Sequence, residues 1–157
     1  MLAAAARAAH QRLGGRGYAL LGAGSAYVMY GVGIIQDHRP AVNKAAVVLT
    51  HAFPLTYWGV LWIVCGGVAL ICAPRRAGHD VAGFGLAALP PGLWAAAYVI
   101  ASVTGRYPRA WTGAPAWLLI PELLAVVAVL STQLLTARRR VADLEARITQ
   151  IPGGVHG

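Results

Sequence analysis

Charge is what this sequence has least of. Lys, Arg, Asp and Glu make up 11% of its 157 residues, whereas a soluble domain carries about 25%. Only five residues are acidic: Asp37, Asp80, Glu122, Asp143 and Glu145. A surface built with so few charges does not suit water and does suit a bilayer. Phenylalanine is scarce, at two residues, and the only cysteines are Cys65 and Cys72. Seven positions apart on a helix, these two would stack about 10 Å from each other, too far for a disulfide within the chain. No CxxC occurs, so neither a thiol redox centre nor a structural zinc site is supported, and both cysteines read as small buried side chains. There is no Gly-rich phosphate loop, nucleophile elbow, HExxH or pair of catalytic carboxylates. His10, His38, His51, His79 and His156 lie outside the apolar runs or at their edges, with no pair spaced as metal ligands on one helix face. These absences point away from an enzyme, a cofactor, a metal and a small-molecule substrate.

What is present is apolar: 58% of the chain is hydrophobic, rich in Ala, Leu, Val and Gly. Four runs stand out, at 18–35, 55–73, 81–103 and 116–137, each free of Lys and Arg. About 20 apolar residues span a hydrocarbon core, so four transmembrane helices are expected. The first run is longer than a signal-peptide core and has no small-residue cleavage site after it, so it reads as an uncleaved anchor. Before it, a basic arm over 1–17 suits a short surface helix that Gly14 and Gly15 would end. In the third run Pro90 and Pro91 each remove a backbone donor. They predict a kink, and make these residues either a hinge or a bend packed against neighbouring helices.

The net charge of +8 comes from 12 Arg and Lys44 against the five acids. The Arg-over-Lys skew fits a GC-rich coding genome. No basic stripe carries interleaved aromatics, so nucleic acid is not the expected partner. Basic residues instead flank spans and set their orientation. Arg7, Arg12, Arg16, Arg75, Arg76, Arg138, Arg139, Arg140 and Arg147 fall on one side of a four-span layout, and Arg39, Lys44, Arg106 and Arg109 on the other. The richer side stays in the cytoplasm, which places both termini there, in a cell membrane crossed four times. Tyr57, Trp58, Tyr107, Trp111 and Trp117 would then form an outer aromatic belt.

Glu122, in "LLIPELLAVVAVL", is the candidate intramembrane acid. A carboxylate at depth is costly and marks proton or cation sites. The competing reading puts Pro121 at the first helical position and Glu122 in the first turn, favoured by the helix dipole and within reach of Arg106 or Arg109. Small residues at Gly15, Ala19 and Ala23, at Gly22 and Ala26, and at Gly59 and Gly66 suggest close helix contacts. Past the last run, residues 138–151 place Val141, Leu144, Ile148 and Ile151 at a and d positions of a seam, with Asp143 and Arg147 as an i, i+4 pair. That seam suits self-association of parallel helices, or an apolar face folded onto the bilayer. Pro152, Gly153 and Gly154 stop the helix, leaving 152–157 as a flexible tail.

In texture, "RGYALLGAGSAYVMYGVGII", "YWGVLWIVCGGVALICA" and "YPRAW" resemble small four-span membrane proteins of actinobacterial phages and prophages, over residues 16–130. Some of those are called holin-like, so the resemblance implies a phage origin and a lysis role. The expected protein is all-α and integral to the membrane, with four transmembrane helices over 18–137 and a short cytoplasmic C-terminal helix. It is expected to be non-enzymatic and homo-oligomeric in the lipid bilayer. The alternatives are a scaffold acting through the C-terminal helix and a proton-coupled transporter using Glu122.

Overall fold

The computed structural model describes residues 2–36, 49, 53–75 and 78–149, with side chains from 13 to 148. Every regular element among these residues is helical. Helix α1 runs Leu2–Gln36 and is interrupted at Gly14, whose φ of 54° and ψ of −178° are open to glycine and strained for any other residue. The expected end of the N-terminal surface helix therefore falls at Gly14, and a second helical stretch starts beyond it. Helix α2 spans Leu55–Cys72, α3 spans Val81–Val103, and a 3₁₀ turn over Ala110–Gly113 leads into α4, Ala114–Thr149. All four helices are long and apolar enough to cross a membrane.

The tightest packing joins α1 to α2, and its sequence signature is a spacing of seven. A Cβ on Gly24 would lie 2.8 Å from the Gly66 carbonyl oxygen, and one on Gly66 would lie 2.7 Å from that of Gly24. Gly31 and Gly59 stand in the same reciprocal relation, and Gly17 meets the carbonyl oxygen of Ala73. Only hydrogen fits at these positions, so the backbones approach to Cα–H···O distance. On α1 the next position of the repeat is filled by Leu20, Tyr27 and Ile34, all buried; on α2 Trp62 and Ala69 fill it. A strict seven-residue repeat on two antiparallel helices is that of a coiled coil. Cys65 and Cys72 flank this seam as free, buried thiols. Of the small residues singled out by their spacing, Gly22 and Ala26, four apart, face outward, while Gly59 and Gly66, seven apart, lie in the seam.

Helix α3 packs on α2 and α4. Gly83 abuts Cys72 at one end of the bundle, and Tyr98 abuts Gly113 at the other. Pro90 and Pro91 sit inside α3 without ending it, and both are buried. Pro91 lacks the N–H that would bond the carbonyl of Ala87 four residues back. The Tyr27 hydroxyl of α1 takes over, donating to that carbonyl at 2.7 Å. This is the repair a membrane helix needs where a proline frees a backbone oxygen, and it favours the packed reading over the hinge.

Helix α4 differs from expectation in two ways. It begins at Ala114, so the proline in its first turn is Pro115, while Pro121 lies inside the helix. It also runs unbroken to Thr149. The C-terminal segment is therefore not a separate short helix but the extension of the last span.

Candidate functional site

Three groupings of polar or aromatic side chains distinguish the bundle. The first ties its ends together. Arg16, two residues past the Gly14 break, donates from Nε to Asp80 Oδ2 at 2.6 Å and from Nη2 to Oδ1 at 2.9 Å. Its Nη1 reaches α4, donating to the Ala128 carbonyl at 2.8 Å and the Thr132 hydroxyl at 3.2 Å. The guanidinium carbon lies 4.7 Å from the centroid of the Phe84 ring. The planar fork of arginine suits such a bidentate, stacked site. Asp80 also accepts from the Gly78 N–H at 3.1 Å. Burial alone would raise the Asp80 carboxyl, but the hydrogen bonds from Arg16 and Gly78 and the nearby positive charge outweigh it, and hold it below its usual range. Counted in the sequence only among the basic residues that flank the spans, Arg16 is instead held in a salt bridge to Asp80. Its place at the lip of one apolar run, with Asp80 at the lip of another on the same side, was the available signal.

The second grouping is an aromatic cluster. Trp62 is its hub, 4.8 Å from both Tyr27 and Tyr30 and 5.8 Å from both Trp94 and Trp117, ring centre to ring centre. Trp58 joins it through Trp94 at 5.9 Å. Trp58 and Trp117 were expected in the outer belt, but they turn into the bundle, while Tyr57, Tyr107 and Trp111 remain exposed. Edge-to-face pairs of this kind add to apolar burial. They supply the aromatic bulk that a chain with only two phenylalanines cannot draw from Phe.

The third grouping is the outward face of α4. Glu122 is exposed on it, and no ion pair joins it to Arg106 or Arg109 among the described residues. It lies eight residues, about 12 Å, beyond the start of α4. Thr132, level with Arg16, is ten residues, about 15 Å, further on. Glu122 thus lies about two turns into α4, between its start and the Arg16 layer, and not in a first turn. On the same side Val126, Leu130 and Leu134 are each more than half exposed. Beyond Thr132, α4 continues for about 25 Å, clear of the Arg16–Asp80 layer, and exposes Arg138, Arg139 and Arg140. Its seam residues Val141, Leu144 and Ile148 stay 54–68% exposed; Ile151 lies outside the described residues. The expected Asp143–Arg147 pair is not formed.

Among the described residues no group of three or more His, Cys, Asp or Glu could hold a metal. His79 is exposed; the side chains of the other four histidines lie outside the described residues. Comparison with protein-family models, with curated proteins and with solved structures finds no match for the chain.

Proposed function

We propose that this chain is a non-enzymatic, multi-span membrane protein that acts by assembling with copies of itself, in a holin-like role of phage or prophage origin. One observation carries the reading. Helix α4 leaves a mainly apolar face, broken by Glu122, Gln133 and Arg140, uncovered by the other described residues, and this face continues past the bundle into a segment that projects from it. Lipid covers the part in the membrane, but none of the described residues of one copy covers Val141, Leu144 and Ile148 beyond it. A second copy inserted the same way would present the identical face at the identical height. The basic residues support an orientation with both termini in the cytoplasm: Arg16, Arg75 and the projecting end of α4 share one end of the bundle. On that reading the projecting helix and its arginine cluster are cytoplasmic.

The lysis role rests on the resemblance in texture and on the need of any such protein to gather into a lesion. Induced expression in a bacterial host tests it. The membrane should depolarise, and a co-expressed endolysin should reach the wall and lyse the cells. Normal growth with an intact membrane potential at high expression would overturn the lysis role.

A further inference from the structure

We propose that Glu122 is a contact residue between copies inside the membrane, its carboxyl hydrogen-bonded to the Glu122 carboxyl of a neighbouring copy. This rests on the self-association proposed above and names a specific contact within it. The position of Glu122 is the first ground. At about 100° per residue, Glu122, Val126, Leu130, Ala137, Leu144 and Ile148 fall within about 80° of arc on α4, an arc that Gln133 and Arg140 also share toward its projecting end. All six are exposed. The acid within the span and the seam beyond the membrane therefore share one face, and whatever covers the seam is carried along the helix toward Glu122.

The chemistry of the acid is the second ground. Hydrocarbon offers a carboxyl no hydrogen-bond partner, and an ionisable side chain within a span ordinarily faces protein or a water-filled cavity. Among the described residues of one copy Glu122 faces neither, because the buried side of α4 is the side of Leu124 and Ala114. The third ground is symmetry. Copies inserted with one topology are parallel and at equal depth, so a rotation axis beside α4 brings each Glu122 to the same residue of its neighbour. Two carboxyls facing each other in hydrocarbon cannot both stay charged. A shared proton turns the pair into an O–H···O bond that a lipid-facing residue would lack. Other partners fit less well. A soluble protein cannot reach this depth, and a different membrane protein would need its own matching polar group.

Cysteine crosslinking of the full-length protein in native membranes tests the contact. Cys65 and Cys72 are buried, so the parent protein should give a low background under a membrane-permeant oxidant. Glu122→Cys and Val126→Cys should form disulfide-linked dimers at least tenfold above Leu124→Cys, which lies on the buried side. Because Leu124→Cys disturbs the core, the inserted, protease-resistant monomer of each variant is measured alongside. A second arm follows dimers through Leu144→Cys in the projecting helix. Adding Glu122→Gln should leave that yield unchanged, since an amide can pair with an amide. Adding Glu122→Leu should lower it several-fold. Efficient dimers at residue 144 with none at residues 122 and 126, or an equal yield with Glu122→Leu, would overturn the proposal and leave self-association standing. No dimer at any of the three positions would overturn both.

Discussion

Tyr27 shows how one hydroxyl can decide whether a membrane helix tolerates two prolines. Its bond to the Ala87 carbonyl replaces the one that Pro91 cannot make. The loss on Tyr27→Phe should be about 0.6–1.7 kcal/mol, the range for polar bonds between membrane helices. It should shrink toward zero in a Pro91→Ala background, where the backbone N–H returns to serve Ala87. A double-mutant cycle by reversible unfolding in detergent checks this; equal losses in both backgrounds would show that the hydroxyl acts elsewhere. Asp80 makes the second residue-level case. Its carboxyl is held below the ordinary range, so the folded state gains stability from it at neutral pH. That gain persists down to the ordinary carboxylate range near pH 4 and is lost as pH falls through the lower folded value. Asp80→Asn should abolish that acid dependence. It should also destabilise the fold at neutral pH by about 1.5–3 kcal/mol, the range for hydrogen bonds to charged groups, because the part-buried Arg16 loses its anionic partner. Thermal melts between pH 3 and 7 would check both.

At the scale of elements, the seven-residue repeat of α1 and α2 carries the bundle. Neighbouring glycines make a matched test. A side chain at Gly66 would strike the backbone of α1, whereas Gly67 has open space around its Cβ position. Gly66→Val should therefore destabilise by at least the 1–3 kcal/mol typical of overpacking, and Gly67→Val should be close to neutral. Similar melting temperatures for the two variants would contradict the seam. The spans themselves were legible in the sequence, because length and apolarity alone set them. Of the glycines that face a partner, Gly59 and Gly66 were legible from their spacing of seven, but Gly17, Gly24 and Gly31 were not: in a chain with 19 glycines spacings of four arise by chance, and the register is set by the partner helix. The start of α4 was legible to within two residues, at 116 against Ala114, and the competing start at Pro121 fails for a local reason. Pro115 and Pro121 both suit a first turn, and only the 3₁₀ turn at Ala110–Gly113, which has no clear sequence mark, selects the earlier one. The Arg16–Asp80 bond joins residues 64 apart, and only the antiparallel order of helices brings them together.

For the whole molecule, topology and assembly are the two levels left to measure. A reporter active only in the cytoplasm should work when fused after residue 77 or residue 157 and fail at residues 42 and 108. Activity at residue 108 would break the four-span layout at α3. The central claim is that copies meet along the outward face of α4. The most direct measurement is the mass of the full-length protein extracted into nanodiscs with its native lipids. Two or more copies per particle are predicted. Leu144→Asp with Ile148→Asp should shift the population toward single copies, because charges in a buried seam lack partners. A single copy per particle for the unaltered protein at high membrane density would contradict the account.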